Sequence, residues 1–179
     1  MPPGMIALVL AASMQAAAPA SPASPPACAT SDHRAFDFWV GRWDVFRTDT
    51  NALVAHSVVE LMYDGCALRE SWMPHGRAGG GSLSSWVPGE RRWRQTWVDS
   101  QNGYATFEGG MQGAAMVLTG RWLGYSGPGT EVLARMTYSR REGGAVSQRV
   151  EASTDGGRTW RLAADFLYRP AARHMASEP

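Results

Sequence analysis

The chain has 179 residues, enough for one domain with a full hydrophobic core and short for two. Hydrophobic residues make up 44% and charged residues 18%, which excludes a disordered tail. The 17 basic residues, all arginine, oppose 16 acidic ones, so the net charge of +1 gives no footprint for nucleic acid or an anionic membrane.

Residues 1–31 carry no charged side chain, and a soluble composition begins at Asp32-His33-Arg34. Met5–Met14 is an apolar run of signal-peptide length, too short for a bilayer, which needs about 20 residues. Ala16-Ala17-Ala18 offers a cleavage site. Residues 1–18 therefore read as a signal peptide, and export to the periplasm or beyond is expected, with no transmembrane segment. Met1-Pro2-Pro3-Gly4 lacks the usual basic start, which leaves a plain apolar N-terminus as the other reading. Residues 19–32 form a Pro/Ala/Ser-rich linker that suits neither helix nor strand.

Cys28 has two readings. Lipid attachment needs an aliphatic residue three positions earlier, where Pro25 stands. A disulfide with Cys66, the only other cysteine, suits an exported chain and is the preferred reading. The chain-entropy model values such a closure at roughly 4 kcal/mol.

From residue 38 the chain alternates polar and apolar residues with turn punctuation and almost no helical period. Strands are expected at about 41–48, 52–63, 66–74, 82–87, 92–99, 104–109, 114–123, 131–139, 145–152 and 159–169. Between them lie turn-forming stretches such as Asp64-Gly65, His75–Gly81, Ser100–Gly103, Gly109-Gly110, Gly124–Gly129 and Asp155–Gly157. Short strands with hairpin turns and no crossover helices are antiparallel neighbours, in a closed barrel or a sandwich. The barrel leaves no exposed edge.

Parity assigns the faces. Trp93, Gln95, Trp97 and Asp99 share one face, opposite Arg92 and Arg94, so they should point inward. The same argument turns Cys66, Leu68, Glu70 and Trp72 inward. It does so again for Val146, Gln148 and Val150, and for Trp160, Leu162, Ala164, Phe166 and Tyr168. Such an interior either fills the barrel or walls a cavity with a few aimed polar groups, which is how small-molecule sites are built. Several buried polar residues favour the cavity, because each is costly without a partner. The candidate ligand-binding residues are Glu70, Trp72, Trp93, Gln95, Trp97, Gln148 and Tyr168.

The stretch Phe36-Asp37-Phe38-Trp39-Val40-Gly41-Arg42-Trp43-Asp44-Val45 contains Gly41-x-Trp43, the element that opens lipocalin-like barrels. It resembles a family of exported bacterial proteins of unassigned function that open F-D-F-W-x-G-x-W-x-V. Further matching elements are Gly65–Trp72, Trp93–Asp99, Met116–Gly120, Arg135–Tyr138, Gln148–Trp160 and Tyr168-Arg169. The resemblance implies an all-β, up-and-down, lipocalin-like (calycin) barrel of about 8–10 strands over residues 33–170. Residues 171–179 then form a polar tail. It implies a helical plug at Phe36–Trp39 and a structural cation–π stack of Arg169 on Trp43. The chain lacks the Thr-Asp-Tyr element of true lipocalins. It is distantly similar to the nitrobindin family, which holds haem through a histidine near its C-terminus; His174 is the residue in that region.

Ser153-Thr154-Asp155-Gly156-Gly157-Arg158-Thr159-Trp160 fits the Asp-box pattern, a hairpin brace. His33, His56, His75 and His174 are too scattered for a metal site, so no metal is expected. Gly76–Gly81 lacks the Lys-Ser/Thr ending of a phosphate loop and reads as a flap, with His75 near the barrel mouth. For catalysis the one candidate is Glu70, with a pKa raised by burial, and with Asp99 or an inward Arg135 as partner. The leading expectation is an exported barrel holding a small apolar or aromatic molecule, with no resident cofactor apart from the haem alternative. The others are an acid–base enzyme of isomerase or hydratase type using Glu70, and a structural envelope protein with a filled barrel.

Overall fold

In each expected segment the alternation of faces carries through to a strand, as a computed structural model describing residues 27–172 shows. The expected signal peptide, most of the linker, His174 and most of the tail lie outside the described residues. The strands are β1 (Gly41–Arg47), β2 (Leu53–Met62), β3 (Ala67–Pro74), β4 (Gly80–Val87) and β5 (Arg92–Asp99). They continue as β6 (Tyr104–Gln112), β7 (Ala115–Leu123), β8 (Glu131–Arg140), β9 (Val146–Ser153) and β10 (Arg161–Pro170). Each pairs antiparallel with its sequence neighbour, and β10 closes on β1. The result is an up-and-down, lipocalin-like barrel of ten strands without a free edge.

A short helix, α1 (Ser31–Arg34), and a 3-10 turn at Asp37–Trp39 precede β1 and stopper the end from which it starts. Thr30 caps α1 by accepting the His33 amide at 3.4 Å. Phe36 and Trp39 are fully buried and stacked at 5.0 Å. Phe36 also meets Trp93 and Tyr138 edge-on, at 5.6 and 5.0 Å. The Trp43 indole donates to the Trp39 carbonyl at 3.0 Å. Two clamps hold the stopper to the β2–β3 turn: the Cys28–Cys66 disulfide, and the Arg34 guanidinium donating to the Gly65 carbonyl.

Arg169 does not stack on Trp43. Its neighbour Tyr168 points inward, so alternation turns Arg169 outward, where it covers Phe46 at 4.2 Å and donates to Asn51 at 2.7 Å. At the stoppered end Arg140 makes a cation–π contact instead, over Phe38 at 4.5 Å.

Three sequence expectations shift locally. Gly109-Gly110 lies inside β6, because the ladder with β7 continues to Gln112 opposite Ala115. A Cβ at Gly109 would collide with the Val117 carbonyl, so the glycine serves close strand approach, and the turn falls at Gly113, φ +61°. Gly80 and Gly81 belong to β4, paired with Trp72 and Ser71, so the flap is shorter than expected. A bulge between Leu162 and Ala164 breaks the alternation of β10. Ala164, Phe166 and Tyr168 keep the inward face, while Leu162 is exposed and Trp160 lies under Arg135 at 4.3 Å on the outside.

The Asp-box is a braced hairpin between β9 and β10. The Ser153 hydroxyl donates to Asp155 at 2.7 Å and accepts the Gly157 amide at 2.8 Å, while Asp155 accepts from the Thr159 amide and hydroxyl. No helix among the described residues is long and apolar enough to cross a membrane.

Candidate functional site

The barrel interior divides into two halves. Beside the stopper, the inward residues Val45, Val59, Leu68, Trp93, Leu118 and Val146 pack solidly. Beyond them, toward the β3–β4, β5–β6 and β7–β8 turns, a cavity of about 370 Å³ opens. That volume falls in the range of small-molecule sites, at its lower end.

Aromatic faces make the walls. Trp72 of β3, Trp97 of β5, Phe107 of β6, Trp122 of β7 and Phe166 of β10 all border the cavity. Trp72 meets Phe166 at 5.5 Å, and Trp97 meets Trp122 at 6.2 Å. Gly80, opposite Asp99 on the β4–β5 ladder, leaves room for the Trp97 ring, which a Cβ would approach to 2.8 Å.

Polar groups make the floor, where the cavity meets the packed half. Glu70 is 5% exposed and accepts from the hydroxyls of Ser57 and Ser82 at 3.1 and 3.2 Å, one to each oxygen. Ser82 stands opposite it on β4, while Ser57 of β2 is opposite Trp72 and reaches Glu70 from two positions along the ladder. Tyr168 lies beside the Glu70 carboxyl and donates to Gln148 Oε1 at 2.7 Å; Gln148 Nε2 donates to Tyr138 at 2.8 Å. Gln95 donates to Ser84 at 2.9 Å.

Burial is what shifts these groups. Desolvation pushes the Glu70 carboxyl from 4.5 up to about 7, against the opposing hydroxyls of Ser57, Ser82 and Tyr168. Burial, with the Glu70 charge nearby, holds the Tyr168 and Tyr138 phenols well above their ordinary value. Arg135 does not join them. It points outward and pairs with Glu151 at 2.8 Å, because its strand neighbours Ala134 and Met136 are the buried ones.

The rim carries Arg77, Asp99, Gln101 and Tyr125. Asp99 accepts the Trp97 indole N–H at 3.0 Å and the amides of Gln101 and Gly103 at 2.9 and 2.8 Å. Desolvation raises its carboxyl, but these donors outweigh it and hold the group below its ordinary value. His75 stacks near His56 at 5.2 Å, and His56 is bonded to Asp44 at 2.8 Å. Among the described residues no histidine borders the cavity, and no group of three or more His, Cys, Asp or Glu converges as a metal site would require.

Of the residues singled out by sequence, Glu70, Trp72, Gln95, Trp97, Gln148 and Tyr168 line one cavity. Trp93 faces inward as parity required, but it lies one layer too deep, against Phe36. Missing from the sequence argument were Phe107, Trp122, Tyr138, Tyr125 and Arg77. The first three were accessible to the same reasoning: Glu108, Arg121 and Arg135 mark the wet faces of β6, β7 and β8, which turns Phe107, Trp122 and Tyr138 inward. Tyr125 and Arg77 sit on turns, where alternation says nothing. No protein-family model and no curated protein matches the chain.

Proposed function

We propose that the protein is an exported carrier or sensor of a small apolar or aromatic molecule, held in the open half of the barrel. The observation that carries this reading is the cavity of about 370 Å³, walled by aromatic faces and floored by hydrogen-bonded polar groups. A barrel built only as scaffold has no use for such a space, and the hollow half speaks against the filled-barrel reading. The Cys28–Cys66 disulfide, the apolar residues 5–14 and the resemblance to exported lipocalin-like proteins support export to the periplasm or beyond. Trp72 and Trp97 would be walls, with Glu70, Gln95, Gln148 and Tyr168 orienting the ligand.

Native mass spectrometry with an absorption scan, on protein exported to the periplasm and purified without detergent, tests this. A retained mass above the oxidised chain supports the carrier and identifies the ligand class. A Soret band would point to haem instead. A bare mass, together with no saturable change in tryptophan fluorescence across a ligand library, would overturn the reading.

A second reading is favoured by one observation, the Glu70 carboxyl near 7 at the edge of the cavity. A group of that kind can act as general acid or base on an isomerase- or hydratase-type substrate. Glu70→Gln separates the two: turnover would fall by about 100-fold or more, whereas simple binding would survive with altered affinity.

A further inference from the structure

Within that binding reading, we infer that the cavity selects an organic cation: a primary or substituted amine carried on an apolar or aromatic body, its ammonium directed at Glu70.

Four observations converge. Among the described residues Glu70 is the one carboxyl on the cavity floor, it is almost wholly buried, and no cationic side chain acts on it. The arginines that could have neutralised it are engaged elsewhere, Arg135 with Glu151 and Arg169 with Phe46 and Asn51, both outside the barrel. Arg77 stays at the rim, donating to Gln101 at 3.3 Å beside the acid Asp99. A buried carboxylate without a counter-ion is costly, and the cost falls when a cation arrives from outside.

The second observation is that Ser57 and Ser82 place one donor on each Glu70 oxygen. Donors favour the ionised form, so the carboxylate is held in position for charge although the protein supplies no partner for it. Third, the walls above it are aromatic rings, those of Trp72, Trp97, Trp122, Phe107 and Phe166. An aromatic ring attracts a desolvated cation lying over its face, the negative side of its quadrupole. Fourth, the remaining floor residues, Gln95, Gln148, Tyr138 and Tyr168, are neutral, with both phenols held far from ionisation. Nothing on the floor repels an ammonium, and an anion would meet the Glu70 charge directly.

The decisive comparison uses three near-isosteric probes on the full oxidised protein: 2-phenylethylamine, 2-phenylethanol and phenylacetate, titrated by isothermal calorimetry at pH 6, 7 and 8. The amine should bind at least about tenfold more tightly than the alcohol at pH 8, with phenylacetate weakest. Its affinity should rise from pH 6 to pH 8 with proton release, since the alkylamine stays charged throughout while Glu70 gives up its proton. Around Glu70 the facing groups are Ser57, Ser82, Gln95 and Gln148, which do not titrate, and Tyr138 and Tyr168, which do not ionise in this range; at the rim stand Arg77 and Asp99, whose lowered carboxyl is already ionised. In Glu70→Gln the preference for amine over alcohol should vanish while alcohol binding persists.

If the alcohol or phenylacetate binds as well as the amine to the wild-type protein, the cation assignment is overturned and the carrier reading stands. If none of the three binds and the protein exported to the periplasm retains no small molecule, both fall. The wild-type series needs no variant, so a Glu70→Gln protein that failed to fold would not rescue the inference.

Discussion

Trp93 and Trp97 stand four residues apart on the same inward face of β5, yet only Trp97 borders the cavity. Trp93 is locked beneath it by an edge-on contact with Phe36 of the stopper at 5.6 Å. One strand thus serves two purposes along its length. The layer of Trp93, Phe36 and Trp39 is structural core, Tyr138 joins it to the cavity floor, and the layer of Trp97, Trp122 and Trp72 is wall.

This division predicts unequal costs for similar truncations. Trp39→Ala empties a fully buried site and should lower the unfolding free energy by about 3–5 kcal/mol. Trp122→Ala removes a ring that already faces open space and should cost less than half as much while enlarging the cavity. Urea denaturation of both variants checks the contrast; equal losses would show that the two halves are not distinct.

Glu70 should make stability depend on pH. Unfolded, its carboxyl ionises near 4.5; folded, near 7, because burial disfavours the charge. The folded state therefore holds a proton that the unfolded state has lost, and stability declines as pH rises from about 4.5 to 7. The shift corresponds to an order of 3 kcal/mol. Glu70→Gln should flatten this part of the profile and melt higher than wild type at pH 8, read by thermal denaturation from pH 4 to 8. A wild-type profile that rises over this window would refute it.

The disulfide ties Cys28 to Cys66 at the stoppered end, far from the cavity. Replacing both cysteines by serine should lower the unfolding free energy by about 2–4 kcal/mol. Ligand affinity should change little in the same variant, provided it is measured well below its melting temperature.

Asp99 braces the rim through Trp97, Gln101 and Gly103. In Asp99→Ala the amides of Gln101 and Gly103 lose their acceptor, and their hydrogen exchange should quicken by about tenfold or more. Because its folded carboxyl is held below the ordinary 3.8, this bracing is complete above that value and fades as pH drops beneath it.

The ten strands were legible because polar and apolar residues alternate between turn-forming stretches, with arginines marking the outer face in strands such as Arg92–Asp99. The polar floor was legible for the same reason: Glu70, Gln95 and Gln148 each fall on a face opposite an arginine. Depth was not. Parity separates inside from outside, but whether an inward side chain meets the stopper or the cavity depends on strand tilt and register, which placed Trp93 a layer below Trp97. Parity also fails across an unseen extra residue, and the bulge at Leu162/Ala164 put Trp160 and Leu162 on the outside. The expected pairing of Arg169 with Trp43 came from resemblance alone, and alternation beside Tyr168 argued against it.

The described chain both enters and leaves the barrel at its stoppered end, Cys28 joined to the β2–β3 turn and the Ala171 amide bonded to the Arg42 carbonyl at 2.9 Å. Among the described residues, neither end of the chain lies at the opposite pole, where the cavity opens. Immobilised on a bead or an electrode through its stoppered end, the barrel would stand with its mouth toward the solution, a ready geometry for measuring ligand capture directly.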